Sequence, residues 1–313
     1  MPQPLRFSRR LLLGTLATAV IGLTACSRTS DTPEYYQPKT LDKPRFIQAE
    51  YSFAVHPLHN PSRLFEVFNP LMEYLNNHIP HAYFRLEASR DYPTFDRKLA
   101  QASVDFALPN PYQTVTALKS KRYHVIAKMG DDQNFRGIIL VRKDSGINKI
   151  SDLRGKTISY PAPTALAATM LPQYFLQQNG LDIKHDLTNQ YVGSQESSIM
   201  NVFHGEVDAA ATWPPPWELL SQQRPELKRQ LRVQWQTNPL PNNAIIVRDD
   251  IPTDVGKQVQ YLLTNLHTSE QGRKILAGMY LSKFEIANNQ SYEPVKQFLE
   301  DFQKTVRNPQ DEI

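Results

Sequence analysis

The sequence predicts an α/β fold of two lobes, with mainly parallel sheets flanked by helices and a ligand cleft between the lobes. In the first part of the chain, short apolar segments alternate with amphipathic ones, a pattern typical of βαβ units. This part predicts strands at 46–55, 83–88, 104–108, 125–129 and 136–142, and helices at 63–77, 92–102 and 112–121.

The alternation restarts after Gly146, and the chain returns toward its first block near residue 240. The second block predicts a helical turn at 150–156, strands at 157–160, 190–192, 207–212 and 244–248, and helices at 164–179, 197–205, 253–268, 269–276 and 292–306. Two such blocks predict a first lobe from 45–135 plus 241–313, and a second lobe from 136–240. A cleft between two lobes is a common place for a ligand.

Cys26, the one cysteine of the sequence, follows an apolar run at 11–23 that is preceded by Arg6, Arg9 and Arg10. A basic start, a short apolar run and small residues before a cleavage point are typical of a secretory signal. Because this run ends at a cysteine, it resembles a bacterial lipoprotein signal. We predict that residues 1–25 are removed and that Cys26 is acylated. The two adjacent arginines also resemble a twin-arginine export signal, and the two export routes stay open.

Residues 26–44 are rich in Ser, Thr, Asp, Pro and Lys and show no apolar periodicity, so they predict a flexible tether. The formal charge of +4 falls to +1 when the three signal arginines are removed. No basic excess remains for nucleic acid or an anionic membrane. With its one cysteine at the predicted anchor, the exported body depends on its core for stability.

A series of short motifs spans about residues 50–300. In order, they are Val55-His56-Pro57, Asn69-Pro70-Leu71, Ser89-Arg90-Asp91-Tyr92, Val104-Asp105-Phe106-Ala107, Pro111-Tyr112, Asp144-Ser145-Gly146-Ile147, Asp152-Leu153-Arg154-Gly155-Lys156, Gly193-Ser194 and Gly205-Glu206-Val207-Asp208. In order and spacing they resemble the phosphonate-, phosphite- and phosphate-type solute-binding proteins of ABC importers. The resemblance implies a type II periplasmic-binding-protein fold, closure on a small solute, a membrane permease as partner, and no catalysis.

The chain departs from this family where the anion is usually held. Family members carry an Asp-Pro-x-Ser-Thr-Ser-Gly run at the start of the long helix, and Pro172 sets the register here. The three hydroxyl positions then read Ala165, Leu166 and Ala167, which removes three donors. The usual histidine of Gly-Ser-His-Glu is Gln195, which cannot carry a positive charge. An oxyanion is therefore expected as the ligand only because it is the usual ligand of this family.

Six residues are candidate ligand contacts: Tyr92, Tyr112, Thr164, Gln195, Trp213 and Arg136. The resemblance puts the two tyrosines at the cleft, although tyrosines at loop–helix junctions also pack within the core. Thr164 is either a donor at the helix start or only an N-cap. Trp213 lies before a run of three prolines, which predicts a fixed loop whose rings stack on a flat or cationic ligand, or else pack at a hinge. Arg136 either meets an anion or pairs with a nearby acid.

Other functions remain as alternatives. His56 and His59 have a ligand-like spacing, but nothing in the sequence supplies a third metal ligand, and no cofactor motif stands out. A sulfonate-, nitrate- or pyrimidine-type ligand is the runner-up among binding proteins. A sensory protein for a membrane kinase or cyclase is a second class, and an extracytoplasmic enzyme a third. We expect a monomer, lipid-anchored on the periplasmic face of a bacterial membrane.

Overall fold

The structure is a computed structural model, and it describes residues 48–309 and residue 311. The predicted signal peptide, tether and Cys26 lie outside these residues. The described residues form eleven strands: β1 (Ala49–Val55), β2 (Ala82–Glu87), β3 (Phe106–Leu108), β4 (Tyr123–Met129), β5 (Ile138–Arg142), β6 (Lys156–Tyr160), β7 (Leu187–Tyr191), β8 (Ala209–Thr212), β9 (Leu231–Gln236), β10 (Ala244–Arg248) and β11 (Phe284–Ile286).

The helices flank these strands. In chain order they are α1 (Pro61–His78), α2 (Tyr92–Gln101), α3 (Pro111–Lys119), α4 (Leu171–Gln178), α5 (Gln195–His204), α6 (Pro214–Gln223), α7 (Glu226–Gln230), α8 (Thr253–Asn265), α9 (Glu270–Gly278) and α10 (Glu293–Thr305). A wide π turn, Leu166–Met170, leads directly into α4. Short 3₁₀ turns occur at Asp132–Asn134, Ile150–Leu153, Leu266–Thr268 and Asn289–Tyr292. None of the described helices has the length and apolar character needed to cross a membrane.

Two sheets give the fold its two lobes. The first has six strands in the order β11-β4-β10-β3-β1-β2, and the second has five in the order β7-β6-β8-β5-β9. The predicted two-lobed α/β fold is confirmed, but the sheets are mixed. The strand β10 runs antiparallel to β3 and β4, and β5 runs antiparallel to β8 and β9. Since β5 carries the chain into the second sheet and β10 carries it back, most of the antiparallel pairing arises at these crossings.

Two crossing segments, 130–137 and 237–243, join the lobes and are bonded to each other. The Thr237 amide donates to the Gly137 carbonyl and the Gly137 amide donates to the Thr237 hydroxyl, each over 2.9 Å. Gly137 has no room for a side chain. A Cβ there would lie 2.6 Å from Pro172 and 2.7 Å from the Ala167 carbonyl oxygen. The crossing is therefore packed tightly against the π turn.

The C-terminal helix α10 begins on the first lobe, and the residues after it contact the second. The Arg307 guanidinium donates to the Gln173 side chain over 3.0 Å and to the Pro163 carbonyl over 2.7 Å. It also lies over the Phe302 ring at 5.3 Å. Arg307 is buried, so the end of the chain forms a third connection between the lobes.

The prediction of a proline-fixed loop after Trp213 is wrong. Pro214, Pro215 and Pro216 form the first turn of α6. Proline is well tolerated there, because its fixed φ suits a helix and the first amides of a helix have no partner within it. The helix α7 and the strands β9 and β11 were also not predicted from the sequence.

Candidate ligand-binding site

A small cavity lies between the two lobes, and the residues around it are almost fully buried. Its volume is about 10 Å³, roughly what a single water molecule requires. The residues that line it are His56, Tyr92, Asn110, Phe135, Ala165, Leu166, Ala167, Ala168, Gln195, Trp213 and Asn243. Elements of both sheets contribute to this lining, and the buried Asn110 side chain of the first lobe donates to the Thr164 carbonyl of the second, so the lobes are closed on each other here.

Several helices of the described chain begin at this cavity. Tyr92 and Gln195 are the first residues of α2 and α5. Asn110, Ala165 and Trp213 come immediately before α3, the π turn and α6. The first amides of a helix lack intrahelical acceptors and carry partial positive charge. The arrangement thus directs several helix N-termini toward one point.

Most of these N-termini already have a partner for their amides. The Asp91 carboxylate accepts from the Thr94 amide over 2.8 Å at α2. The Asn110 side chain accepts from the Gln113 amide at the start of α3, and the Ser194 hydroxyl accepts from the Ser197 amide at the start of α5, each over 3.0 Å. The first three positions of α6 are prolines, which have no N–H group. The π turn differs, because Ala165 before it has no side chain that can cap a helix.

His56 lies directly after β1 and is 3% exposed. Its Nδ1 atom is 2.9 Å from the Leu108 carbonyl oxygen, and a carbonyl can only accept. Nδ1 therefore carries the proton, and the neutral ring keeps its lone pair on Nε2. Burial lowers the pKa of His56 to about 4, so the ring is uncharged at neutral pH.

Gln195 has both ends of its side chain engaged. Its Oε1 accepts from the Thr212 hydroxyl over 2.8 Å, and the side chain shares a hydrogen bond with the Tyr92 hydroxyl. Tyr92 belongs to the first lobe and Gln195 to the second, so this bond crosses the cleft. Burial raises the pKa of Tyr92 above its usual value, which keeps the phenol protonated.

Asn243 is fully buried just before β10. Its Nδ2 atom makes a long contact of 3.5 Å to the Met129 sulfur. Its Oδ1 atom has no hydrogen-bond partner among the residues that the structure describes. A buried polar atom without a partner costs folding free energy, and such atoms are uncommon in native proteins.

Trp213 closes one side of the cavity. Its ring meets the Phe135 ring edge to face, with centroids 5.5 Å apart and planes 63° apart, a favoured arrangement for two aromatic rings. Trp213 is 4% exposed. The ring therefore contacts the crossing segment and also lines the cavity, while its stacking on a ligand stays a prediction.

A larger chamber of about 300 Å³ lies outside this cavity and shares Gln195 with it. Its charged lining residues are Arg63, Glu66 and Glu196. The Arg63 guanidinium is 2.6 Å from the Glu66 carboxylate. Since one cation faces two carboxylates, the formal charge of this lining is negative.

Three of the six predicted contact residues meet at the cavity: Tyr92, Gln195 and Trp213. Thr164 is buried beside it, and its carbonyl accepts from the Asn110 side chain over 3.1 Å. Tyr112 lines a separate groove of about 400 Å³ between α2 and α3. Arg136 is adjacent to Phe135 in the chain but is not among the cavity-lining residues. The ligand contacts of all six stay predictions.

Three polar lining residues were not predicted as ligand contacts: His56, Asn110 and Asn243. Asn110 had a visible signal, because an asparagine before a proline is typical of a helix start. His56 lies in one of the family motifs, but its spacing to His59 suggests only a metal ligand. Among residues 48–309 and 311, no cluster of three His, Cys, Asp or Glu side chains is arranged to hold a metal ion.

Two α/β lobes closed on a small cavity define a solute-binding protein of the periplasmic type. The family described as ABC transporter, phosphonate, periplasmic substrate-binding protein matches residues 53–292. The chain therefore belongs to this family.

Two curated relatives are similar to this chain at low identity. A probable ABC transporter phosphite-binding protein, PhnD1, from Prochlorococcus marinus is 24% identical over 55% of this chain and 63% of the relative. The phosphonates-binding periplasmic protein of Escherichia coli is 20% identical over 51% of this chain and 48% of the relative. The matched part thus spans about half to three fifths of these relatives' length.

Solved structures support the fold. The structure of Prochlorococcus PhnD1 in complex with methylphosphonate has a TM-score of 0.75 at 20% identity, covering 82% of this chain and 98% of that one. A binding protein component of an ABC phosphonate transporter from Pseudomonas aeruginosa has a TM-score of 0.73 at 19% identity, covering 82% and 88%. At these identities the similarity concerns the fold.

Proposed function

We propose that this protein captures one small solute outside the cytoplasm and delivers it to an ABC permease, while acylated Cys26 anchors it to the membrane. The observation that supports this most directly is the cavity between the lobes, to which both lobes contribute buried side chains. A solute that binds this closed form better than an open form shifts the population toward closure.

The proposed contacts are Tyr92 from the first lobe with Gln195 and Trp213 from the second. Thr164 is proposed as a further donor beside the π turn, and its hydroxyl is the one side-chain donor kept from that segment. Tyr112 and Arg136 would contact a solute only in a form of the protein with a different arrangement of α3 and the crossing segment.

An oxyanion such as phosphonate, phosphite or phosphate is the family's usual ligand. This chain has Ala165, Leu166 and Ala167 where the family has three hydroxyls. A hydrogen bond to a charged group is worth roughly 1.5–3 kcal/mol, so losing three would weaken oxyanion binding by several kcal/mol. Each ~1.4 kcal/mol is about tenfold in affinity. A sulfonate-, nitrate- or pyrimidine-type ligand is the second candidate, and the position of Trp213 in the cavity favours its flat members, nitrate and pyrimidine, on which the ring could stack.

A binding screen on residues 27–313 tests the capture step. A solute present at 100 times its dissociation constant should stabilise the protein by about 2.7 kcal/mol and leave small-angle scattering at the compact, closed value. Uptake of the same solute by cells should fail when the gene is deleted. The Cys26→Ser variant should leave the membrane fraction while keeping solute binding, and retention of that variant in the membrane would exclude acylation at Cys26 as the anchor.

A further inference from the structure

We infer that the cavity of this chain, which has room for about one water molecule when the lobes are closed, widens to take an uncharged solute that both donates and accepts hydrogen bonds, such as a small amide or urea, rather than an oxyanion. This inference rests on the proposed solute-binding function and names the chemical class of its ligand. It depends on three properties of the cavity: its charge, its acceptors and its donors.

The cavity offers no counter-ion to an anion. None of the described residues that line it is charged, and His56, the one lining residue that titrates near neutral pH, is held neutral by burial. A buried ion needs a paired charge or a full set of hydrogen bonds. The outer chamber does not help, because Arg63 already pairs with Glu66 there.

The uncommitted side-chain groups of the cavity include two acceptors, in addition to the indole N–H donor of Trp213. Asn243 Oδ1 is buried without a partner in the described chain, and the neutral His56 ring keeps a lone pair on Nε2. The amide groups of Asn110 and Gln195 are already bonded within the protein. A fully ionised oxyanion also only accepts, so it would leave Asn243 Oδ1 unsatisfied. A solute N–H or O–H group would satisfy it.

Further donors come from the backbone at the π turn. The amides of Leu166, Ala167 and Ala168 are the first of a helix, and the side chains around them are apolar. They can hold one carbonyl oxygen without help from a hydroxyl. Since Asn243 lines the same space as the π turn, backbone donors and a side-chain acceptor belong to residues around one cavity. A carbonyl with an attached N–H matches this pair.

The experiment uses calorimetric titration of residues 27–313 with acetamide and urea at low millimolar concentration, and with methylphosphonate, phosphite and methylammonium. We expect saturable binding of acetamide or urea, with the two oxyanions at least tenfold weaker. The Asn243→Leu variant, close in size but lacking the acceptor, should bind the amide probe at least tenfold more weakly and should unfold at the same or a higher temperature in the absence of probe.

A matched variant introduces the features that an oxyanion needs: Ala165→Ser, Leu166→Thr, Ala167→Ser and Gln195→His together. It should gain binding of methylphosphonate and lose binding of acetamide. Tighter binding of phosphite or methylphosphonate than of acetamide by the unmodified protein would overturn the inference and leave the proposed function standing. Binding of methylammonium alone would also overturn it. If no probe of any charge bound, the capture function would fall together with the inference.

Discussion

The side-chain amide of Asn110 donates a hydrogen bond of 3.1 Å to the backbone carbonyl of Thr164. Asn110 is the N-cap of α3 in the first lobe, and Thr164 precedes the π turn of the second. Both residues are almost fully buried. This bond and the one between Tyr92 and Gln195 join the lobes beside the cavity, and they exist only when the lobes are closed.

Asn110→Asp should favour the open form. The carboxylate keeps the cap on the Gln113 amide, but it loses the donor to Thr164 and places negative charge against a carbonyl oxygen. A net hydrogen bond is worth about 0.5–1.5 kcal/mol, so solute affinity should fall roughly threefold to tenfold while thermal stability changes little. Small-angle scattering should show a larger radius of gyration. The control is Asn110→Ala, which should also lose about 1 kcal/mol of stability with the cap.

Gly137→Ala should destabilise the protein and loosen the cavity. The new methyl group would collide with Pro172 and the Ala167 carbonyl, neither of which has a flexible end that can move away. Overpacking of this kind costs about 1–3 kcal/mol, measured by urea unfolding. Gly256→Ala is the matched control, because a Cβ there meets nothing within 4 Å in helix α8. That variant should gain up to ~1 kcal/mol, and an equal loss in both would contradict the packing argument.

Stability should fall between pH 6.5 and about 4 through His56. Its pKa lies near 4 in the folded protein because of burial, whereas the unfolded chain binds the proton from about pH 6.5. In this window the unfolded state holds more protons, so stability rises with pH and is lost as pH falls. Across this pH window, the titration of one such histidine changes the free energy of unfolding by roughly 3 kcal/mol.

His56→Asn isolates this contribution. Asparagine retains a donor for the Leu108 carbonyl but does not titrate, so urea unfolding of the variant should show a shallower pH slope than the parent. Burial also raises the pKa of Asp96 to about 6, which acts in the opposite direction because that group favours the proton when folded. Asp96 is present in both proteins and cancels in the comparison. Identical slopes in the two proteins would rule out a buried, neutral His56.

Arg307→Ala should cost about 2–4 kcal/mol. The substitution removes two hydrogen bonds from a charged donor, to Gln173 and Pro163, and leaves buried acceptors without a partner. Arg307→Lys should restore little of this, because one ammonium cannot reproduce the guanidinium fork. Exposed Arg229 provides the control, and its change to alanine should stay within about 0.5 kcal/mol. Urea unfolding midpoints of the three variants, with that of the parent, provide the test.

Much of the fold was predictable because apolar periodicity is a local property. The helix predicted at 63–77 is α1 at Pro61–His78, where apolar residues recur on one face. The strands β7 and β9 have sequences of mixed polarity because they lie at the two edges of the second sheet. Of these two strands, β9 was not predicted from the sequence. The three prolines of α6 were misread because proline punctuates loops and also begins helices.

Cavity-lining residues could be predicted from the sequence only where their position within a helix or strand is enough to bring them to the cleft. Tyr92, Gln195 and Trp213 lie at element ends that face the cleft. Tyr112 follows Asn110 by two positions, and a helix turns about 100° per residue, so its side chain faces another groove. Asn243 reaches the cavity only because the chain returns after more than a hundred residues. No local pattern contains that information.

The π turn at Leu166–Met170 has a consequence for protein engineering by deletion. Its backbone bonds reach five residues, as in the bond from the Met170 amide to the Ala165 carbonyl at 3.3 Å, whereas an ordinary α-helix spans four. Removing one residue such as Ala168 would allow a regular spiral. The deletion would also rotate the residues before it by about a quarter of a circle relative to α4. A different set of backbone and side-chain atoms would then face the bound solute. The number of residues in this π turn therefore matters to ligand recognition as much as their identities.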